Sequence, residues 1–404
     1  GDSAFEGCSI LSDVEISNSV TSIGYYAFKG TKLTDIVIPD SINSLGYEAF
    51  RNCQFLDNAT IGSSVNGFGS GAFRDCIRLT SVTIRDGVKG IGSDAFRGCS
   101  NLVSIEIPGS VKSIGSAAFY NCIKLTSATI LFGVDSIGDS AFEGCSILSD
   151  VEISNTVTRI GNSAFCGCIG LTDIVIPDSV TYLGYEAFKN CQFLDNATIG
   201  SSVTDFGSRA FQDCIGLTNV TIRDGVARIG SDAFRGCSKL SGIGIPGSVF
   251  SIGSSVFINC TNLTCVEIGD GVSSIGGSTF YGCASLEGVY FLGNAPTYGS
   301  SVFYGANNVI VYYLPWTVGW GSTFGDRPTA QFEVNNECPG GFVEGEGEGE
   351  GEPAEGETEG EPVEGESAEG EMEGEPVEGE SAEGEIEGEG EPLEGETSEG
   401  ELIE

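Results

Sequence analysis

The sequence contains no histidine, one methionine, and only 18 lysine and arginine residues against 58 aspartate and glutamate residues in a chain of 404. Without histidine, a Ser-His-Asp triad, a Cys-His dyad and imidazole metal ligands are all excluded. The shortage of basic residues argues against nucleic acid as a partner, because phosphate binding requires a positively charged surface. No apolar run reaches the 18 residues of a membrane-spanning helix, so we expect no membrane insertion.

The net charge of −40 is unevenly distributed along the chain. Residues 341–404 contain 27 glutamates and no aspartate, lysine or arginine, which leaves 31 acidic and 18 basic residues in 1–340, a net charge of −13. From residue 339 the Glu-Gly-rich composition cannot bury a core, and it predicts a disordered acidic tail at 339–404. We interpret this tail as an extended spacer. It lacks the ligand spacing of a calcium loop, so only weak, diffuse cation binding is expected of it.

What the chain has in abundance is an internal repeat. Phenylalanine recurs fourteen times, and twelve of the thirteen spacings are 23 residues. A cysteine follows three residues later in every unit except those with Thr31 and Ala306. A period of about 20 to 29 residues predicts a solenoid of stacked units. The repeated phenylalanines are Phe5, Phe28, Phe50, Phe73, Phe96, Phe119, Phe142, Phe165, Phe188, Phe211, Phe234, Phe257, Phe280 and Phe303.

Each unit predicts three local structures. The alternation Leu-Thr-Ser-Val-Thr-Ile at 79–84 has the two-residue period of a half-buried strand. A second apolar pair, such as Val88 and Ile91, predicts a short back strand, and the stretch Ser-Asp-Ala-Phe-Arg-Gly-Cys at 93–99 is interpreted as a single helical turn. The predicted fold is therefore a β-rich solenoid of 23-residue units over 1–306, followed by an aromatic C-terminal cap at 307–338 and the disordered acidic tail.

The unit resembles a known repeat family. The pattern Leu-x-x-Ile-x-Ile-Pro-x-Ser-Val-x-x-Ile-Gly-x-x-Ala-Phe-x-x-Cys, nearly complete at 171–191, is similar to the BspA-like (treponemal-type) leucine-rich repeat over roughly residues 1–306. This resemblance implies a curved solenoid in a secreted or surface-displayed bacterial protein that acts in adhesion and in contact with a host or a neighbouring cell. The departures, such as Thr31 and Ala306 in place of cysteine, are local.

A block of six units occurs twice with little divergence. The segment Gly-Asp-Ser-Ala-Phe-Glu-Gly-Cys-Ser-Ile-Leu at residue 1 returns at residue 138, and Asn-Cys-Gln-Phe-Leu-Asp-Asn-Ala-Thr-Ile-Gly at residue 52 returns at residue 190. Such a duplication lengthens a binding surface and is uncommon in an enzyme. The chain also begins inside a repeat, from which we expect a fragment of a longer protein.

The cysteine column is interpreted as a structural ladder of buried thiols, because free cysteine packs as a small hydrophobic residue. Stacked rungs lie within disulfide distance, but side chains that point the same way have poor geometry for the bond. Metal binding and redox chemistry are the alternatives. The redox states of Cys166, Cys265 and Cys338, which lie off the column, are left open. The predicted ladder is represented by Phe96, Cys99, Phe119, Cys122, Phe188 and Cys191.

The end of the array is rich in aromatic residues and contains both tryptophans, Trp316 and Trp320. We interpret this segment as a cap, because an open solenoid must cover its last rung and strand edge. The alternative is an aromatic platform that stacks on sugars. That alternative requires the two indoles to be exposed side by side.

A ligand face is predicted at the strand positions eight and ten residues after each phenylalanine, which point away from the core. Its candidate residues are Asp13, Glu15, Asp35, Glu106, Asp150, Glu152, Asp173 and Glu267. Carboxylates one rung apart, such as Asp150 and Asp173, imitate the spacing of a retaining glycosidase. However, no cleft is predicted that would raise the pKa of a general acid.

From these features we predict a non-enzymatic, secreted or cell-surface bacterial module that binds an extracellular protein or glycan, with the tail as spacer. No catalytic, cofactor-binding or metal-binding residue is assigned, and no cofactor is expected. The alternative is a structural surface-layer or spacer protein without a specific ligand, since near-identical blocks fit that role too. A hydrolase that uses surface carboxylates is the third hypothesis.

Overall fold

The computed structural model describes residues 1–333, so the predictions for residues 334–338 and for the tail lie outside the described residues. Within 1–333 the chain forms short β-strands and no helix. In this range thirteen longer strands have three or four residues; of the thirteen others, twelve have two residues and one has five, and most units contribute one strand from each set. The long strands are β2 (Asp35–Val37), β4 (Asn58–Ile61), β5 (Ser81–Ile84), β6 (Ser104–Ile107), β8 (Ser127–Ile130), β10 (Asp150–Ile153), β12 (Asp173–Ile176), β14 (Asn196–Ile199), β16 (Asn219–Ile222), β18 (Gly242–Ile245), β20 (Cys265–Ile268), β22 (Gly288–Phe291) and β24 (Ile310–Tyr313). The others are β1 (Ser22–Ile23), β3 (Ser44–Leu45), β7 (Ser113–Ile114), β9 (Ser136–Ile137), β11 (Arg159–Ile160), β13 (Tyr182–Leu183), β15 (Asp205–Phe206), β17 (Arg228–Ile229), β19 (Ser251–Ile252), β21 (Ser274–Ile275), β23 (Thr297–Tyr298), β25 (Thr323–Phe324) and β26 (Arg327–Gln331).

The strands stack in parallel, with residues of successive units directly opposite each other. Long strands pair in the orders β2-β4-β5, β6-β8-β10, β12-β14-β16 and β18-β20-β22-β24, and β26 pairs with β24 at the end of the last sheet. Two-residue strands form a separate set, of which β7-β9-β11-β13-β15 is the longest run. Only β25 and β26 pair antiparallel within the described residues. The 23-residue period of the sequence is therefore the register of the ladders, and it confirms the predicted solenoid.

The core is built from columns of identical residues. Phe96, Phe119 and Phe188 are fully buried, as are Cys99 and Cys122. Each repeated phenylalanine stacks on the next, with ring centroids 5.0–5.8 Å apart and interplanar angles of 3–13°. Parallel aromatic pairs at this separation add about 0.5–1.5 kcal/mol to the free energy gained by burial. One phenylalanine per unit therefore gives a continuous aromatic column.

The predicted single helical turns are wrong, because these segments are chains of tight turns. In the unit of Phe96, the N–H groups of Ala95, Arg97 and Cys99 donate to carbonyls three residues back, whereas the N–H groups of Phe96 and Gly98 donate to the next unit. A helix would require every N–H to donate four residues back. The φ angles of +55° at Asp94 and +72° at Gly98 also break a helical path. Gly, Asn or Asp two residues after each phenylalanine provides the left-handed conformation.

The column thiols complete the hydrogen bonding of these turns. From Cys53 to Cys283, each thiol donates to the carbonyl of the phenylalanine in the preceding unit, with Sγ–O distances of 3.0–3.3 Å. Burial raises the pKa of most of these thiols, including Cys99 and Cys122. The Cys191 thiol, from the predicted ladder, is fully buried and donates to Phe165 in the same way.

The first unit is less regular than the others. Residues 1–21 form no strand, Phe5 is 42% exposed, and a cavity of about 350 Å³ opens between Phe5, Val14, Ile16, Ile23 and Phe28. The strand predicted to carry Asp13 and Glu15 is therefore absent. Both side chains are exposed, but they lie on irregular backbone.

Candidate functional site

The side chains of the long strands alternate between the core and an exposed surface. The pattern in β5, β6 and β12 is exposed, buried, exposed, buried. We call the first and third positions of each four-residue strand the outer face. Because the strands are in register, the outer face consists of two parallel rows of side chains, with successive members about 4.8 Å apart.

Three of the predicted carboxylates come together on the middle of this face. In the β6-β8-β10 sheet, Glu106 lies opposite Thr129, and Thr129 lies opposite Glu152, so the two glutamates are separated by one strand. Asp150 lies in the other row of the same sheet, opposite Ser127. Within residues 1–333, no lysine or arginine forms an ion pair with Glu106, Asp150 or Glu152. The structure therefore places three free carboxylates on one stretch of exposed sheet.

Two other predicted carboxylates are engaged by asparagine. Asn58 donates from Nδ2 to Oδ1 of Asp35 at 2.7 Å, and Asn196 donates to Oδ1 of Asp173 at 2.6 Å. Asn219 then donates to the side-chain oxygen of Asn196 at 2.9 Å. These ladders were not predicted from the sequence. The sequence feature that could have predicted them is an asparagine that follows an aspartate by 23 residues, at the same position of the next unit.

Glu267 differs from the other candidates. It is half-buried in β20, and it is not without a partner. The neighbouring strand β18 carries Gly242 and Gly244 at the outer positions, and both are buried. The predicted ligand face is therefore not uniform, because its exposed part lies towards the first two thirds of the array.

The two carboxylates of the hydrolase hypothesis, Asp150 and Asp173, are both exposed on the outer face. They lie on β10 and β12, neighbouring strands that contact each other without forming a ladder pair. Asp173 also accepts a hydrogen bond from Asn196. Within residues 1–333 there is no group of three His, Cys, Asp or Glu residues that could hold a metal ion, and no helix long and apolar enough to cross a membrane.

The repeat matches a family profile over most of its length. The profile of the BspA type leucine rich repeat region matches in six copies, at residues 1–103, 89–218 and 185–310. The chain belongs to the BspA-type leucine-rich repeat family. A comparison with curated proteins found no match.

A comparison with solved structures found similar bacterial proteins. A leucine-rich repeat protein from Bacteroides ovatus is 26% identical, with a TM-score of 0.50, and the match covers 74% of this chain and 92% of that one. A leucine rich cell surface protein from Faecalibacterium prausnitzii is also 26% identical, with a TM-score of 0.41, and the match covers 71% of this chain and 87% of that one. A leucine-rich repeat protein from Eubacterium ventriosum is 23% identical, with a TM-score of 0.42, over 68% and 83%.

An ion pair that bridges two units recurs in both blocks of this BspA-type array. Arg85 donates to Asp40 at 3.0 Å, and Arg223 donates to Asp178 at 2.7 Å. The N–H of Ser201, with Arg223, lowers the pKa of Asp178. The sequence analysis missed these pairs, although an acid and a base 45 residues apart in both blocks could have indicated them. Both pairs lie in the turns that follow long strands, which we call the corners of the solenoid, and neither pair includes a residue of the outer face.

The two tryptophans have different environments. Trp320 is half-buried, stacks on Tyr313 at 5.1 Å and packs against the core, and its indole N–H donates to Thr317 at 3.0 Å. Trp316 is 68% exposed. The platform of two exposed indoles that the sugar-stacking alternative required is therefore not formed.

The cysteines off the column also differ from each other. Cys166 is a free thiol, and burial raises its pKa to about 11. Cys265 is disulfide-bonded. All thirteen other cysteines of residues 1–333 are free thiols.

Proposed function

We propose that the protein is a non-enzymatic binding module, secreted or displayed on a bacterial surface, that presents its outer face to an extracellular protein or glycan. The observation that carries this proposal is the exposed group of free carboxylates Glu106, Asp150 and Glu152 on a regular sheet. Extended solenoid faces are suited to binding, because many contacts act together on one rigid surface.

The chemistry of the face favours particular ligands. Threonine, serine and asparagine hydroxyl and amide groups surround the carboxylates, so the surface offers many hydrogen bonds and a local negative charge. A protein patch rich in lysine or arginine, or the hydroxyl groups of a glycan, would complement it. Because the strands hold these side chains in fixed rows about 4.8 Å apart, little ordering cost is added on binding.

Two observations support a location outside the cytoplasm. The family membership and the Bacteroides ovatus structure relate the array to bacterial leucine-rich repeat proteins. The disulfide of Cys265 is a bond that persists in oxidising compartments. By its composition, the glutamate-rich segment at 341–404 would serve as a spacer.

The test is a binding screen with the full chain against arrays of glycans and extracellular proteins. We expect at least one saturable interaction that weakens at least tenfold in the variant E106Q/D150N/E152Q. Binding to a basic protein should also weaken with added salt, because the exposed charges are screened.

A matched control removes three other exposed carboxylates at corners of the solenoid, Asp86, Asp135 and Asp270, as D86N/D135N/D270N. This control changes the net charge equally and should bind as the unaltered chain does. Equal loss in both variants would show a nonspecific charge effect and contradict the assigned face. No saturable ligand at all would favour the structural-spacer alternative, and turnover of a polysaccharide would contradict a non-enzymatic role.

A further inference from the structure

The duplicated block presents one phenylalanine–aspartate pair twice, in the turns that precede β4 and β14. The identical segments at 52–62 and 190–200 contain Phe55 with Asp57 and Phe193 with Asp195. Each aspartate directly precedes a long strand, so both pairs border the outer face without belonging to it. Because the two segments are identical, a difference between the pairs must come from residues of the neighbouring units.

In the first copy, both members of the pair hold a cation. Nε and Nη2 of Arg78, in the next unit, each donate to a carboxylate oxygen of Asp57 at 3.0 Å. Nζ of Lys32, in the preceding unit, lies 5.5 Å from the centroid of the Phe55 ring, within the range of a cation–π interaction. The first pair is therefore a cation site that the chain fills with its own side chains.

In the second copy, both cations are replaced. Gly216 stands at the position of Arg78, and the dipeptide Ile-Gly stands at the position of Lys32. Within residues 1–333, no lysine or arginine forms an ion pair with Asp195, and none lies over the ring of Phe193. The second pair therefore keeps the ring and the carboxylate but has no cation of its own.

The second pair is correspondingly more exposed. Phe193 is 66% exposed, whereas Phe55 is 42% exposed, and Asp195 is exposed where Asp57 is half-buried. The hydroxyl of Thr218 donates to Oδ1 of Asp195, and Oδ2 accepts no hydrogen bond from the residues that the structure describes. The groups that hold two cations in the first copy are thus available to an external one in the second.

The surroundings of Phe193 are apolar. Ile147 and Ile215 lie in the same turn, two units before and one unit after, and both are exposed. Gly170 and Gly216 occupy the position of Phe193 in the adjacent units, so no side chain stands beside the ring in its own row. Aliphatic side chains next to an aromatic ring give a sugar no hydrogen bond, but they suit the apolar residues of a protein, whose interfaces are rich in aromatic side chains and arginine.

We propose that the turn at Phe193 and Asp195 binds an arginine side chain of a protein partner. The guanidinium pairs with Asp195 as Arg78 pairs with Asp57, and an apolar residue next to the arginine packs on the ring. Arginine fits better than lysine, because its planar fork donates two parallel hydrogen bonds to one carboxylate. The hydroxyl of Thr218 leaves room for them, since each carboxylate oxygen accepts more than one hydrogen bond. This site is separate from the ligand face proposed above and does not depend on it.

The first test selects binding peptides from a phage-displayed library of random short peptides on the full chain. Enriched peptides are synthesised and titrated by fluorescence anisotropy, and we expect them to contain an arginine next to an apolar residue. The variant F193A/D195N should weaken their binding about tenfold or more, and citrulline in place of the arginine, which removes the charge, should weaken it about fivefold. Lysine should also bind more weakly than arginine.

The matched control is F55A/D57N, which removes the same groups from the copy whose cation site is filled. It should bind each peptide as the unaltered chain does, and so should the triple variant of the outer face, so the two proposed sites succeed or fail separately. Equal loss in F193A/D195N and in the matched control would overturn the proposal. Enriched peptides without arginine, or with binding that is insensitive to F193A/D195N, would overturn it as well.

A second test measures a gain of binding. The variant K32I/R78G replaces both cations of the first copy by residues found at the same positions in the second copy. It frees Phe55 and Asp57, so the number of peptides bound per chain should rise from one to two in a titration at saturating peptide. One peptide per chain in both proteins would contradict the equivalence of the two pairs, from which the inference is drawn.

Discussion

Removal of a single column thiol tests whether the cysteines hold the turns together. The change is Cys99→Ala. Cys99 is fully buried, and its thiol donates to the carbonyl of Phe73 at 3.2 Å. The same carbonyl also accepts the N–H of Cys76 at 3.3 Å. The substitution therefore removes one of two hydrogen bonds to this oxygen and leaves a small void in a close-packed column.

The expected cost follows from these two losses. Deleting a buried group about the size of a methyl costs about 1 kcal/mol in lost transfer and cavity free energy. Loss of a weak S–H hydrogen bond, with the acceptor still holding a second donor, costs about 0.5–1 kcal/mol. We therefore expect the free energy of unfolding to fall by about 2 kcal/mol.

The matched control is Cys166→Ala, which removes the same atoms from a half-buried position off the column and should cost less than about 0.5 kcal/mol. Guanidinium unfolding is followed by far-ultraviolet circular dichroism, which reports the whole array. Tryptophan fluorescence reports its C-terminal end, where Trp316 and Trp320 lie. Coincident transitions show that the array unfolds as one unit. Equal losses in the two variants would refute the structural role of the thiol column.

Two further predictions concern a corner and the end of the array. Because its folded-state pKa is lowered below the ordinary 3.8, Asp178 stabilises the fold above about pH 5 and loses this effect as the pH falls through the folded-state pKa. Asp178→Asn should therefore lower the free energy of unfolding by less than about 1 kcal/mol, because the pair is exposed. This loss should shrink below about pH 4 in urea unfolding curves. A loss that is the same at every pH would contradict stabilisation by the ionised carboxylate. Trp320→Ala should destabilise the chain by about 2 kcal/mol because its ring packs against the core, whereas Trp316→Ala should stay within about 0.5 kcal/mol, as measured by chemical unfolding. Similar losses for both indoles would contradict the observed packing.

Much of the architecture could be predicted because the repeat determines it. A residue type that recurs every 23 positions can satisfy packing only if successive units stack in register, as Phe96 and Phe119 do. The alternation in β6 likewise indicates which side chains leave the core, so the exposure of Glu106 follows from the sequence. These are local patterns whose meaning does not depend on distant parts of the chain.

The turn after each back strand could not be assigned correctly from such patterns. A phenylalanine followed three residues later by cysteine fits a helical turn as well as a chain of tight turns. The choice depends on hydrogen bonds to the next unit, such as Phe96 N–H to Ala118. A single unit in isolation has no partner for these groups, and so the sequence of one unit underdetermines its own backbone.

The candidate site likewise combines features that follow from the sequence with features that depend on tertiary contacts. The sequence by itself determined the period, the stacked columns and the two rows of outward side chains, because periodicity and side-chain alternation are properties of the chain. Only the tertiary structure decided that Asp173 is held by Asn196 while Glu152 remains free, and that Cys265 is bonded and buried. These differences arise from contacts between units and across the face, where the distance between two groups in space is not given by their distance along the chain.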